Sequence, residues 1–252
     1  MNAKKTYIGI AVIVLIFGLL VIPKIIERLS NDEVVVNDRL NVAQKQTSDS
    51  DAGDLAYIKI NGKDRRVPSF KFVNQNNDTI TDKDYRGKVF IVEFFFTRCP
   101  DICIPMNKNL VAIQQEFEGN DKFGIASITI DPENDSPEVL KEYAEHYNVD
   151  EFNWNFLTGS RDSIYTLANE KFGLLAQENP NIEGGLLHSG YFALVDQNGF
   201  IRSRLDPFGN PKVYYKGSIP RDTPVVEDGD NAEIDILVDD IKLLLNKNTS
   251  YE

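Results

Sequence analysis

A long apolar run near the start of the chain stands out in the pattern of hydrophobic and polar positions. No residue of Tyr7–Ile22 is charged, and residues 23–26 bring the run to the ~20 residues that a helix needs to cross a bilayer. Two lysines precede the run, which favours a cytoplasmic N-terminus. No pair of small residues follows at the spacing of a signal-peptide cleavage site. The pattern therefore predicts an uncleaved transmembrane helix within an anchor segment, residues 1–29.

The positions after the anchor predict a linker and then a globular domain. Residues 30–56 are rich in Asn, Asp, Ser and Gln, which is typical of a flexible linker. The domain is predicted over 57–247, with a tail at 248–252. Because predicted strands and helices alternate, we expect an α/β fold with a central mixed sheet flanked by helices, and a long loop at 204–230. The predicted strands are 57–60, 70–73, 79–81, 88–96, 123–130, 191–195 and 200–204, and the predicted helices are 106–118, one starting at 136, 160–172 and 234–245.

Charge and composition narrow the chemistry that the domain could carry. The net charge of −12 argues against nucleic acid as a partner, because binding to phosphate backbones needs clustered Lys and Arg. The chain has 2 cysteines and 2 histidines, so any thiol or imidazole chemistry has to use these few residues. His146 lies among charged residues of a predicted helix and is expected to face solvent.

Both cysteines follow the central predicted strand directly. The carboxyl end of a strand in an α/β sheet is where ligands bind. Pro105 deep inside a helix would clash with the carbonyl four residues earlier, so the next helix is expected to begin near 102–104. Cys99 would then lie on the connecting loop and Cys103 near the first turn of the helix, where the helix dipole and the nearby Arg98 favour the thiolate form.

The cysteine pair alone supports three interpretations. Two thiolates select soft metals, Cu(I) above all, and a trigonal site needs one further ligand such as imidazole. A redox pair would cycle between dithiol and disulfide, although a three-residue spacing is unusual for such enzymes. An extracytoplasmic location also permits a structural disulfide. The spacing leaves these three open, while zinc is less favoured because a closed structural zinc site takes four ligands.

His188 is the candidate third ligand, although its local sequence does not establish that role. It precedes the predicted strand 191–195 and is flanked by glycines, which are typical of a loop that can approach another site closely. A single histidine near a strand is more often structural than a metal ligand.

Four segments carry a set of motifs in a fixed order. Residues 97–103 read T-R-C-P-D-I-C, and residues 129–137 read T-I-D-P-E-N-D-S-P. An L-T-G follows at 157–159, and His188 with the next serine forms an H-S pair before a strand. These segments resemble the motifs of the SCO/SenC family, which are copper chaperones of cytochrome c oxidase assembly. The resemblance spans about Val67–Val195 and extends more weakly to the closing helix.

The resemblance implies a thioredoxin-like fold and a copper site. Its ligands would be Cys99, Cys103 and His188, holding Cu(I) and, as a second candidate state, Cu(II). The implied function is delivery of copper to the dinuclear copper site of cytochrome c oxidase subunit II during assembly. The alternative is a thiol–disulfide oxidoreductase that uses the two cysteines on that same target or in redox defence. Whether the protein is an enzyme therefore stays open, with a metallochaperone favoured.

The resemblance also suggests residues that would support the site. Asp101 lies inside the cysteine motif as a supporting or partner-contacting residue, and Arg98 adds a positive charge. The family commonly has an acidic residue directly before the metal-binding histidine, where this chain has Leu187. Since a carboxylate normally orients such a histidine, either Glu183 takes this role or the site is tuned differently. Together with the anchor, the resemblance implies a single-pass protein of the bacterial inner membrane whose domain faces the periplasm.

Overall fold

The computed structural model describes residues 17, 55–60, 62–149, 152–206, 209–225 and 231–246. The chain divides into two compact units, Met1–Asp51 with Pro207–Asn210, and Ala52–Asp206 with Pro211–Glu252. The fold below belongs to the second unit. Of the predicted anchor, Phe17 alone is described; the rest of the anchor, most of the linker and the tail lie outside the described residues. Within the described part of the chain, no helix is both long enough and apolar enough to span a membrane.

A mixed sheet forms the centre of this unit, as predicted. Its strand order is β1-β12-β11-β6-β7-β8-β4-β5, and β13 pairs with β11. The pairs β6–β7 and β7–β8 are parallel, and the other pairs are antiparallel. The strands of this sheet are β1 (Ala56–Tyr57), β4 (Lys71–Asn74), β5 (Thr79–Thr81), β6 (Val89–Phe95), β7 (Phe123–Thr129), β8 (Trp154–Thr158), β11 (Tyr191–Val195), β12 (Ile201–Ser203) and β13 (Tyr215–Lys216).

Two hairpins and four helices complete the described elements. The hairpins are β2 (Lys59–Ile60) with β3 (Lys63–Asp64), and β9 (Ala176–Glu178) with β10 (Leu186–His188). The helices are α1 (Cys103–Glu116), α2 (Pro137–His146), α3 (Arg161–Tyr165), which continues as a π-helical turn over Thr166–Phe172, and α4 (Ile234–Asn246); a 3₁₀ turn covers Asp82–Tyr85. Helix α4 packs on β6 and against α1, and α2 packs on β8 and β4.

Strand β6 is buried along its whole length and leads directly to the cysteines. Every residue of β6 and of its parallel neighbour β7 is buried. Parallel strands covered on both faces read as continuous apolar runs, which explains why this strand could be predicted to within one residue at each end. The sheet therefore holds the start of the cysteine loop rigidly at its carboxyl edge.

The helix ends follow from local sequence. Ser136 accepts a hydrogen bond from the backbone N–H of Val139, and Pro137 occupies the first position of α2, as predicted. Helix α1 begins at Cys103, which confirms that Pro105 limits it to a start near 102–104. Ile102 precedes α1 without a side-chain cap, and the backbone N–H of Ile104 in the first turn donates to the carbonyl oxygen of Asp101 at 3.2 Å.

The structure differs from the sequence prediction in several elements. Strand β8 was not predicted, and the predicted loop 204–230 contains β13. His188 was expected in a loop but is the last residue of β10, paired with Ala176. The predicted helix 160–172 changes to π-helical geometry at Thr166. Strands of two or three residues are too short to show an alternating pattern, and tertiary pairing determines where they form.

Candidate metal centre

Three residues from distant parts of the chain converge at the carboxyl edge of the sheet. Cys99 lies on the loop after β6, Cys103 is the first residue of α1, and His188 ends β10. Nε2 of His188 lies 3.0 Å from Sγ of Cys103 and 3.9 Å from Sγ of Cys99. The three donor atoms all lie within 4.8 Å of one another. Both cysteines are free thiols.

The three residues differ in exposure, so the cluster is accessible from the side of Cys99. Cys103 and His188 are 1% and 3% exposed, whereas Cys99 is only half-buried. A ligand or a partner thiol would therefore meet the sulfur of Cys99 first. The two buried donors lie behind it, away from water that would compete for a metal.

The two thiols have opposite proton affinities. A hydrogen bond from the Cys103 thiol is the main cause that lowers the pKa of Cys99 to about 4, with further lowering by His188 and by backbone hydrogen bonds from Asp101 and Cys103. Burial raises the pKa of Cys103, and the neighbouring Cys99 raises it further. At neutral pH the pair thus consists of a half-exposed thiolate and a buried thiol. Asp101 contributes through its backbone, while its side chain is exposed.

The ring of His188 is oriented by a backbone carbonyl. Its Nδ1 lies 3.2 Å from the carbonyl oxygen of Ser189. A proton on Nδ1 would be donated to this oxygen, which leaves the Nε2 lone pair directed at the two sulfurs. Glu183, the carboxylate suggested by the sequence, is exposed in the turn between β9 and β10, so the carbonyl takes the place that a carboxylate was expected to fill. The ring of Phe96 packs edge-on against the imidazole, with centroids 5.8 Å apart.

A carboxylate network holds the loop that carries Cys99. Asp135 is fully buried and accepts hydrogen bonds from the backbone N–H of Thr97 (3.1 Å) and from its hydroxyl (2.5 Å), and also from the hydroxyl of Thr129. Burial raises the pKa of Asp135. Arg98 pairs with Asp131 at 2.6 Å. The second shared motif, residues 129–137, thus anchors the cysteine loop to the end of β7.

Glu93 is a buried group near the site that the sequence analysis did not single out. It lies in the middle of β6 and is fully buried, and its Oε1 accepts a 2.5 Å hydrogen bond from Ser127, which in turn accepts one from the indole of Trp154. Oε2 has no hydrogen-bond partner among the described residues. Burial, with a smaller contribution from the negative charge of Cys99, raises the pKa of Glu93 to about 8. The sequence carried one signal for this group, because Glu93 is the single charged residue inside the apolar run of β6.

Other candidate features lie away from this cluster. His146 is exposed at the end of α2 and packs edge-on against Tyr147, as expected for a solvent-facing residue. A cavity of about 820 Å³ opens near the amino end of β6, with Arg66, Arg86 and Phe90 among its lining residues, and none of the three clustered donors lines it. The three candidate metal ligands therefore lie apart from these features, at the carboxyl edge of the sheet.

A comparison with known protein families finds a match that covers this cluster. A family model described as SCO1/SenC matches residues 59–218, well over half of the chain. The chain belongs to the SCO1/SenC family. The match is longer than the Val67–Val195 on which the resemblance was based, and it includes the cysteine loop, the network at 129–137, His188 and the first part of the 204–230 segment.

Individual SCO1/SenC relatives agree with this assignment. The SCO1 protein homolog of Bacillus subtilis (strain 168) is 34% identical over 135 residues, 53% of this chain and 69% of the relative. A protein of Stutzerimonas stutzeri that carries the provisional name of a copper-binding protein is 29% identical over 156 residues, 60% of this chain and 74% of the relative. The solved structure of BsSco, a member of the Sco family of cytochrome c oxidase assembly proteins with a disulfide switch, is 28% identical with a TM-score of 0.57, covering 73% of this chain and 95% of that chain.

Proposed function

We propose that this protein binds copper through Cys99, Cys103 and His188 and delivers it to the dinuclear copper site of cytochrome c oxidase subunit II during assembly. The observation that carries the proposal is the convergence of two sulfurs and one imidazole nitrogen within 4.8 Å of one another. Membership of a family that includes cytochrome c oxidase assembly proteins supports the choice of target.

The donor set suits Cu(I) better than other common metals. Soft thiolates favour Cu(I), and a borderline imidazole completes a three-coordinate set. Structural zinc sites take four protein ligands, and no fourth cysteine or histidine is available because the chain has only 2 of each and His146 lies elsewhere. The name of the Stutzerimonas stutzeri relative points to the same metal. The half-exposed Cys99 would be the ligand that a receiving thiolate approaches during transfer.

A thiol–disulfide oxidoreductase is the second candidate, favoured by the asymmetry of the two thiols. The thiolate of Cys99 could attack a disulfide of the target and form a mixed disulfide, releasing one thiolate of the target. Cys103, after giving up its proton, would then attack Sγ of Cys99 and release the second target thiol. The target disulfide gains two electrons, and this chain ends as a Cys99–Cys103 disulfide. The disulfide switch of BsSco supports such cycling.

Replacement of His188 separates the two candidates. In the full chain in detergent solution, His188→Ala is expected to weaken Cu(I) binding about 100-fold. A structural zinc site with four ligands contributes ~10–16 kcal/mol, which is ~3 kcal/mol for each ligand, and we expect a loss of this size for the imidazole. The same variant should still reduce a disulfide substrate, since that reaction needs only the two thiols. A competition titration with a chromogenic Cu(I) chelator measures the affinity.

His146→Ala is the matched control, because it removes the other imidazole from an exposed position on α2. This control should bind one Cu(I) with the affinity of the unaltered chain. Copper delivery would be contradicted if the unaltered chain bound no Cu(I), or if His188→Ala bound it equally tightly. Metal-independent turnover of a disulfide in that case would favour the oxidoreductase.

We also propose that residues 1–29 anchor the chain in the bacterial inner membrane with the domain in the periplasm. The uncharged run Tyr7–Ile22 supports this, since it has the length and apolarity of a membrane span. The full chain is expected to sediment with membranes, to resist extraction by alkaline carbonate and to be released by detergent. Protease added outside spheroplasts should digest the domain. Release by carbonate, or protection from the external protease, would contradict the proposed topology.

A further inference from the structure

A short segment within the predicted loop 204–230 joins the two elements that carry the candidate metal ligands. We call residues 215–221 the clasp. It begins with β13, which pairs with β11 immediately after the His188 turn, and it ends against α1, the helix that starts at Cys103. The clasp therefore spans the gap between the histidine side and the cysteine side of the site.

On the cysteine side, one buried amide holds the clasp. Asn109 of α1 is 4% exposed, and its Nδ2 donates to the carbonyl oxygens of Gly217 (2.9 Å) and Ile219 (2.8 Å). Its Oδ1 accepts the backbone N–H of Arg221 at 3.1 Å. Both donor hydrogens and the acceptor of this side chain are thus used on the backbone of the clasp.

On the histidine side, the clasp binds the residue two positions after His188. The carbonyl oxygen of Gly190 accepts the N–H groups of Gly217 (2.8 Å) and Ser218 (3.2 Å). The two segments approach so closely that a Cβ on Gly190 would lie 2.7 Å from Ser218, and a Cβ on Gly217 would lie 2.5 Å from the ring of Phe192. Glycine at both positions is therefore required by the contact between the clasp and the His188 turn.

Salt bridges hold the C-terminal end of the clasp. The guanidinium of Arg221 pairs with Glu116 at the end of α1 (2.7 Å) and with Asp235 of α4 (2.5 Å). Lys242 of α4 also reaches Glu116 at 3.2 Å. These pairs are partly exposed and individually weak, so we expect the buried amide to contribute most of the restraint.

We propose that the clasp, held by Asn109, positions His188 against Cys103 and that Asn109 is a positioning residue for copper binding. The inference rests on the proposed function. Asn109 touches neither sulfur nor imidazole; it acts by fixing the Gly190 turn relative to α1, and thereby the 3.0 Å approach of Nε2 to Sγ of Cys103. Replacement of a residue that orients a metal ligand without binding the metal itself commonly changes the metal affinity.

A double-mutant cycle in the full chain tests this coupling. Asn109→Ala is expected to weaken Cu(I) binding about 10-fold, the usual lower range for residues that orient a ligand. In a His188→Ala background the same change should have no further effect, because the group it positions is gone. Asn109→Asp retains the acceptor for Arg221 but loses both donors, and it is expected to weaken binding similarly. A thermal unfolding scan verifies that each variant is folded at the titration temperature.

Gln114→Ala is the matched control on the same helix, since this buried amide donates to Asn153 at 2.7 Å. Its copper affinity should equal that of the unaltered chain. The proposal is overturned if both Asn109 variants bind Cu(I) as this control does, or if the loss from Asn109→Ala is undiminished without His188.

A metal-free readout separates the clasp from the proposed function. With 2 histidines in the chain, the ring signals of His188 and His146 can be assigned by NMR from the two His→Ala variants. Asn109→Ala should shift the His188 ring signals in the metal-free, reduced protein and leave those of His146 unchanged. Unchanged His188 signals would refute the clasp even if copper binds. A shift in a chain that binds no copper would support the clasp while refuting copper delivery.

Discussion

Replacement of Cys103 by serine is expected to reduce the Cu(I) affinity of the full chain about 1000-fold, or ~4 kcal/mol, the upper share of one ligand in a structural metal site. Cys103 is 1% exposed and lies 3.0 Å from Nε2 of His188, so it is the innermost sulfur of the cluster. A serine hydroxyl is a hard, neutral donor and cannot replace a soft thiolate toward Cu(I). The same chelator competition used for His188→Ala measures the loss.

Replacement of Cys103 by alanine, which removes the hydrogen-bond donor, should also change the proton affinity of Cys99. The hydrogen bond from the Cys103 thiol is the largest cause that lowers the pKa of Cys99 to about 4. In Cys103→Ala, the thiolate absorbance of Cys99 in the metal-free protein should titrate at a clearly higher pH, whereas the hydroxyl of Cys103→Ser can still donate to the thiolate. In the unaltered chain, by contrast, Cys103 is the protonated partner, so Cu(I) binding near neutral pH should release its proton and become tighter as pH rises.

Asp101→Asn is the control for the cysteine motif, because the side chain of Asp101 is exposed and only its backbone contacts Cys99. It should leave both the Cu(I) affinity and the Cys99 titration close to those of the unaltered chain. If Cys103→Ser bound Cu(I) within a fewfold of the unaltered chain, the three-donor site would be wrong.

The cysteine half of the site could be predicted from local sequence. The apolar run at 89–95 defines a buried strand, and Pro105 limits where the next helix can begin. These two constraints place Cys99 on a loop and Cys103 at a helix start before any tertiary contact is considered. The opposite pKa shifts of the two thiols could not be predicted this way, because they depend on which sulfur is buried.

The histidine half could not be derived from local pattern. His188 is separated from Cys103 by 85 positions, and the three-residue strand that carries it pairs only with another three-residue strand. Only the family resemblance linked it to the cysteines. The Ser189 carbonyl that orients the imidazole is a backbone group, and such a group carries no residue-specific signal in the sequence.

Glu93 gives the second large prediction, a change in how stability depends on pH. Its folded-state pKa is raised from 4.5 to about 8, so between these values the folded protein holds a proton that the unfolded chain has released. The stability that Glu93 contributes is therefore fully present below about pH 4.5 and is lost as pH rises toward 8. Glu93→Gln cannot titrate and should become progressively more stable than the unaltered chain across this range, by up to about 1.4 kcal/mol per pH unit.

The variant has to be compared with the unaltered chain, because the titration of Cys99 changes the stability with pH in the opposite direction. Its folded-state pKa is lowered from 9.0 to about 4, so its contribution to stability grows as pH rises from about 4 and is lost as pH falls through that value. The two slopes partly cancel in the unaltered chain. The difference in free energy of unfolding between Glu93→Gln and the unaltered chain removes the Cys99 contribution and isolates the carboxyl group. Denaturant titrations of the reduced, metal-free proteins at pH 5 and pH 8 give this difference.

A second buried carboxylate supplies the contrasting control for Glu93→Gln. Asp240 is fully buried like Glu93, but its oxygens accept hydrogen bonds from Arg204 (2.6 Å) and Tyr215 (2.7 Å). Asp240→Asn should destabilise the protein throughout the range, because a buried amide cannot accept hydrogen bonds on both sides from Arg204 and Tyr215 as the carboxylate does. An equal stability difference at pH 5 and pH 8 for Glu93→Gln would show that Glu93 does not titrate between them in the folded state. The expected divergence would instead mean that β6 carries a largely neutral carboxyl group at neutral pH, so the Cys99 thiolate faces little repulsion from this group.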